Sequence, residues 1–320
     1  MNPKRDTVRV IAFMSTAAAA LTVIVILFLC WPQLCWPRLC WHQLCWPPWE
    51  LEFLGEADFD GQPIPPPGPV TTGGQATYIG VMTFTNINRD RVVELLPSGF
   101  QLAPRKTTRT PNVHPVILLF GDQTDGASVF PVGPPQPSGV HYSEMILAVP
   151  FVQKTGGSGW HTYIIRMYLD NAGAVVAGEA FGYQKEPAWI EWTGDYARIW
   201  KSSLLGDQDL LEGNFSWGAQ WYDGNDALTT IPNFQDMVNI MTTRLLGRTG
   251  GNSICSHFEW NLDQAKVARA ETSYTMKTPF RSGMSAWPGL SPFENVKDGA
   301  VVVRGMRWSL ATLPPPIIPC

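Results

Sequence analysis

Between Tyr142 and Ala188 the chain sets two long apolar runs on either side of a glycine-rich reversal, and this narrows its fold more than any other feature. Met145 to Val152 and Trp160 to Leu169 are rich in β-branched and aromatic residues, with Gly156, Gly157 and Gly159 between them. Such runs joined by a short turn read as strands. A short helix capped by Asp170 is expected next, followed by Phe181, Gly182, Tyr183, Gln184 and Lys185. Two charges here keep apolar company. Glu144 opens the first strand, and Lys185 lies between Phe181-Gly182-Tyr183 and Pro187-Ala188-Trp189. A carboxyl and an amine that share an apolar cleft are candidates for acid/base and Schiff-base chemistry.

Three groups of residues carry a family resemblance: Tyr142-Ser143-Glu144 leading to Ala148-Val149-Pro150, the run Met167-Tyr168-Leu169-Asp170-Asn171, and Ala177-Gly178-Glu179 leading to Gly182-Tyr183-Gln184-Lys185. In these the chain resembles the acetoacetate decarboxylase family. The resemblance implies an α+β fold of mostly antiparallel strands, a β-barrel or cone with a few short helices, extending over about residues 74–313. It also implies that Lys185 corresponds to the lysine that condenses with a keto acid, and that Glu144 corresponds to a pocket-lining glutamate. Tyr183 and Phe181 then become candidate substrate contacts. No cofactor or metal is expected, and a homo-oligomer is allowed.

The departures from the family pattern carry information too. Gly178 runs directly into Glu179, where the family has an intervening arginine, and Gln184 and Glu186 replace a proline and a second lysine. The segment Gly74 to Ile79 lacks the arginine that helps the family hold a substrate carboxylate. Arg166, within Ile164-Ile165-Arg166-Met167, is a candidate replacement, its alternative being an arginine on the outer face of an alternating strand. Three functions stay open. The leading one is a Schiff-base carboxy-lyase acting on a small keto acid through Lys185, with Glu144 positioning the substrate or shuttling a proton. The second is Schiff-base aldolase, dehydratase or hydrolase chemistry on a carbonyl compound, and the third is non-catalytic ligand binding.

An amine attacks a ketone only when neutral, and a free lysine with a pKa near 10.4 is protonated at pH 7. Acetoacetate decarboxylase is itself the standard example of a lysine retuned for this purpose. A shift of about four units disfavours the ammonium by roughly 5.5 kcal/mol, within reach of deep burial. Phe181, Tyr183 and Trp189 are the expected sources of that burial. Glu186 would oppose it, unless residues 185 and 186 share a strand and so point to opposite faces.

The remaining sequence frames this domain. The net charge of −4, with no basic patch interleaved with aromatics, argues against nucleic acid as a partner. The 29 glycines and 28 prolines favour strands and turns over a helical bundle. Residues 10–31 carry no charge and as a helix would extend about 33 Å, enough to cross a membrane. Lys4, Arg5 and Arg9 precede that run, so a single-pass anchor is expected with residues 1–9 cytosolic and the domain lumenal or extracellular. The cysteine-tryptophan-proline repeat from Cys30 to Trp49 and the proline-rich stretch beyond it, within residues 32–73, read as a tether, and 314–320 as a loose tail. Asn88 is expected to cap a helix that stops at Pro97, and Val116 to Phe120 to form a buried strand before a long loop from Asp122 to Gly139. Phe234, Met237, Val238 and Met241 have helical spacing, although the resemblance implies a strand there.

Overall fold

The computed structural model describes residue 53 and residues 59–63, 73–106, 112–129, 136–180, 183–204, 206–249, 252–277, 293–296 and 298–311. The expected anchor, the cysteine-tryptophan repeat, most of the tether, Phe181 and the tail lie outside these residues. No helix among the described residues is long and apolar enough to cross a membrane.

In chain order the first half comprises β1 (Gln62–Pro63), β2 (Gly73–Asn88), α1 (Arg89–Val93), β3 (Phe100–Leu102), β4 (Val113–Val129), β5 (Gln136–Pro137), β6 (Tyr142–Lys154), β7 (Gly159–Leu169), α2 (Ala172–Ala180) and β8 (Lys185–Pro187). The second half comprises β9 (Trp189–Trp192), β10 (Tyr196–Ser203), β11 (Gly206–Trp217), β12 (Tyr222–Asp223), α3 (Gly224–Thr230), α4 (Phe234–Thr242), β13 (Arg244–Thr249), β14 (Asn252–Asn261), β15 (Lys266–Met276), β16 (Phe293–Glu294) and β17 (Ala300–Ala311). Seven of these strands close on themselves. β2 pairs β4, β4 pairs β6, β6 pairs β7, β7 pairs β13, β13 pairs β14, β14 pairs β17, and β17 returns to β2. Closure leaves no free edge on this ring. All its pairings are antiparallel except β7 with β13. A second layer, β9, β10, β11 and β15, grows from the other half of β17.

Two cores follow from strand alternation. Tyr78, Leu119, Ile146, Ile164 and Met167 face the barrel interior, which α4 helps to fill with Phe234, Met237, Ile240 and Met241. Their neighbours Phe120, Met145, Leu147 and Tyr168 face outward and pack against Ile199, Leu211, Phe215 and Tyr274 of the second layer. The helical spacing from Phe234 to Met241 therefore prevails over the strand implied by the resemblance, because only a helix presents four such residues on one buried side.

Several expected boundaries move. β4 runs to Val129, replacing the first half of the long loop expected from Asp122, because β2 is long enough to pair with it throughout. Asn88 does cap α1, its side chain accepting from the amides of Asp90 and Arg91, but the helix ends at Val93, ahead of Leu95 and Leu96. The packed body also begins upstream of Gly74. Phe59 is fully buried and stacks on Phe151 at 3.9 Å, and Gln62 and Pro63 pair with Gly159 and Trp160. Burying an aromatic ring of this size offsets the cost of ordering that segment.

Candidate active site

The hairpin of β6 and β7 and the short strand β8 place the functional side chains. β8 lies parallel to β7, with Lys185 opposite Met167 and Glu186 opposite Tyr168. Met167 in turn lies opposite Ile146, and Glu144 sits two residues before it on the same face of β6. Lys185 and Glu144 therefore share the interior face, while Glu186 belongs to the outer one. α2 leads into β8, and it starts where Asn171 accepts from the amide of Ala174 at 3.0 Å. Asp170, expected to make that cap, instead accepts from the amide of Ser143 at 2.9 Å and ties the head of β6 to the end of β7.

Glu144 is 4% exposed, and Oε1 accepts a hydrogen bond from Gln123 Nε2 at 2.5 Å, while Oε2 has no hydrogen-bonding partner among the described residues. Gln123 is itself held: Trp308 Nε1 donates to its Oε1 at 2.5 Å. Tyr183 is 3% exposed and its hydroxyl also lacks a partner among the described residues. Gln123, Glu144 and Tyr183 line one cavity with Met167, Trp260 and Trp308, and its free space of about 20 Å³ has room for about one water molecule. A wider groove along β11 and β15 is open to solvent and contains neither Lys185 nor Glu144.

Lys185 keeps some open surface as a residue, but its stem and amine pack over Gly178 of α2. The amine's hydrogen bond to the carbonyl of Ala174 is long, at 3.5 Å. Burial lowers the Lys185 pKa, and the charge of Glu144 partly restores it. Burial likewise raises the Glu144 pKa, against the pull of Lys185 and of the Gln123 hydrogen bond. Desolvation thus favours a neutral amine beside a neutral acid, and their mutual attraction favours the ion pair.

The structure brings Lys185, Glu144 and Tyr183 to one side of the sheet and keeps Arg166 apart from them. Arg166 lies opposite Leu147 and projects toward the second layer, where its guanidinium pairs with Glu186. Lys201 of β10 pairs with the same carboxylate and lies over the Tyr168 ring. Arg166 is therefore corrected from a carboxylate clamp to part of a pairing that pins β8 against β7 and β10. Of the expected sources of Lys185 burial, Trp189 is 60% exposed and stacks on Trp200, and Phe181 lies outside the described residues, whereas α2 packs against the lysine at Gly178.

The match to known families agrees with this region. The family model described as acetoacetate decarboxylase (ADC) matches residues 60–313. The chain belongs to the acetoacetate decarboxylase family. No curated protein matches it. Among solved structures it is similar to acetoacetate decarboxylase from Legionella pneumophila subsp. pneumophila str. Philadelphia 1, at 13% identity and a TM-score of 0.47, over 77% of this chain and 89% of that one. An acetoacetate decarboxylase-like enzyme from Sphingomonas wittichii RW1 is 11% identical with a TM-score of 0.46, over 77% and 94%. The enduracididine biosynthesis enzyme MppR, complexed with the condensation product of pyruvate and imidazole 4-carboxaldehyde, is 13% identical with a TM-score of 0.46, over 75% and 87%.

In this member of the acetoacetate decarboxylase family, two residues of the site escaped the sequence reading. Gln123 meets Glu144 because β4 pairs with β6, and Trp308 meets Gln123 because β2 holds β4 and β17 on either side of itself. Gly178 stood out in the sequence for the arginine missing after it, and the structure adds its packing against Lys185. Among the described residues, no group of three or more histidines, cysteines, aspartates or glutamates could hold a metal ion.

Proposed function

We propose that the domain is a Schiff-base carbon-carbon lyase in which Lys185 condenses with the carbonyl of a small keto acid. The observation that carries this reading is the interior face that Lys185 shares with Glu144, where burial pushes the amine and the acid toward their neutral forms. A neutral amine adds to the ketone and, after loss of water, becomes an iminium that withdraws electrons from the adjacent carbon-carbon bond. That bond breaks with release of carbon dioxide, and the resulting enamine takes a proton at carbon. Glu144, having regained a proton from solvent after the dehydration, is the nearest candidate for that proton, and the Tyr183 hydroxyl, without a hydrogen-bonding partner among the described residues, suits an oxygen of the substrate. Met167 and Met241 line the cavity and are the side chains best able to shift for a ligand larger than water.

A second reading rests on Arg166. Its pairing with Glu186 leaves no arginine lining the cavity among the described residues, which suits a carbonyl compound without a carboxylate and an aldol or dehydration outcome. Borohydride reduction in the presence of acetoacetate, pyruvate or acetone tests both. Covalent labelling at Lys185, lost in Lys185→Met, is expected, and release of carbon dioxide singles out the carboxy-lyase. Failure of every carbonyl compound to label Lys185 would leave only ligand binding. We also propose that residues 10–31 anchor the domain to a membrane, on the strength of their uncharged run and its basic leader. Extraction of the full-length protein by alkaline carbonate would overturn that.

A further inference from the structure

Glu144 has two oxygens in unlike surroundings. Oε1 is tied to Gln123 Nε2, and Oε2 is buried without a partner among the described residues, on a side chain that lines the cavity. The Gln123 amide cannot turn over freely, because Trp308 Nε1–H must meet its oxygen, and this points its NH₂ group at Glu144. Gln123 is 2% exposed, so water does not compete for either bond. We infer that Gln123 is a positioning residue of this site: clamped by Trp308, it occupies Glu144 Oε1 and leaves Oε2 as the oxygen that carries and delivers the proton.

The inference rests on the Schiff-base reading of Lys185 and assigns Glu144 a defined step. The neutral amine adds to the carbonyl carbon, forming the carbon-nitrogen bond while the carbonyl π pair moves onto oxygen. A proton passes from nitrogen to that oxygen and gives a neutral carbinolamine. Glu144 Oε2–H then protonates the hydroxyl, the carbon-oxygen bond breaks, and water leaves with the bonding pair. The nitrogen lone pair closes the carbon-nitrogen double bond. A neutral amine, a ketone and a carboxylic acid have become an iminium, a water molecule and a carboxylate, so the new cation forms beside the new anion.

The titratable groups around Glu144 are few. Lys185 reaches it from β8, Tyr183 shares its cavity, Tyr78 comes from β2 and Tyr142 from its own strand. Asp122 of β4 acts on Tyr78. Burial raises the pKa of all three tyrosines, which stay neutral, so Lys185 is the group that reports the charge of Glu144.

The test compares wild type, Gln123→Leu and Trp308→Phe in the full chain, by two readouts. Trace acetylation of Lys185 by acetic anhydride across pH reports amine basicity without requiring any enzymatic activity. Losing a hydrogen bond donated to the carboxylate lets Glu144 keep its proton to higher pH, which withdraws support from the ammonium. The Lys185 midpoint should therefore fall by about one pH unit in Gln123→Leu, and less in Trp308→Phe, where the amide is freed but present. Borohydride trapping with acetoacetate should slow about tenfold or more in Gln123→Leu. A folded Gln123→Leu with an unchanged acetylation midpoint overturns the inference, as does an unchanged midpoint in Trp308→Phe if Gln123→Leu does not fold. Absence of trapping in wild type would instead sink the Schiff-base reading, and the acetylation result would stand apart from it.

Discussion

Gly178 lies on α2, and the space its side chain would take belongs to Lys185: a Cβ there would come within 1.9 Å of Lys185 Cε and 2.5 Å of Nζ. Helix propensity and site geometry therefore pull in opposite directions at this residue. Gly178→Ala should favour the helix by about 1 kcal/mol, since glycine in a helix interior costs roughly that much relative to alanine. The same methyl must push the lysine off its packed position, and iminium trapping should fall about tenfold or more. A thermal melt and a borohydride assay on one variant check both, and retention of full trapping would show that the amine has room elsewhere. Lys185 and Glu186 illustrate how far adjacent residues can diverge. Strand geometry alone predicted that they face apart, and the structure pairs Glu186 with Arg166 and Lys201 on the outer side. Which side was the interior could not be read from these two residues. It depends on what β8 pairs with.

Among the elements, β4 is the one whose length and role changed most between sequence and structure. Asp122, Gln123 and Thr124 read as the start of a loop, yet all three pair with β2, and Gln123 holds Glu144. At its other end His114 is fully buried with Nε2 bonded to the carbonyl of Pro150 at 2.9 Å. Burial pushes its pKa down to about 3, so the imidazole is neutral in the fold and donates that bond. In the unfolded chain a histidine takes up a proton below about pH 6.5. Stability contributed by keeping His114 neutral is thus complete above that value and is lost as pH falls from about 6.5 toward 3. At pH 5 the loss should be about 2 kcal/mol. His114→Gln retains an N–H donor and lacks the titration, so it should flatten the fall in urea-unfolding stability between pH 7 and pH 5. An equally steep fall in the variant would assign the pH sensitivity to other groups.

At the scale of the whole molecule, the closed ring separates two cores that do different work. Phe120 is fully buried on the outer side of β4, with its ring centroid 6.0 Å from those of Trp192 and Phe215. Phe120→Ala should cost about 3–5 kcal/mol of stability, measured by denaturant titration, because it opens a hole between barrel and second layer. The Lys185 acetylation midpoint should stay put, since Phe120 faces away from the cavity; a shift of a unit would mean that the two cores are coupled. The limits of sequence reading follow the same division. Local pattern was enough for the hairpin of β6 and β7 and for the candidacy of Lys185 and Glu144, and it offered α4 beside a rival strand, because apolar period, turn glycines and a short motif are properties of neighbouring residues. It could not rank Arg166 against Gln123, since each is one polar residue in a strand and its role depends on the face it occupies. Nor could it reveal Trp308, which comes near the end of the chain and reaches Glu144 only through Gln123. Those assignments were made by barrel closure, which sets the register of each strand against partners far away in sequence and decides which side chains are kept from water.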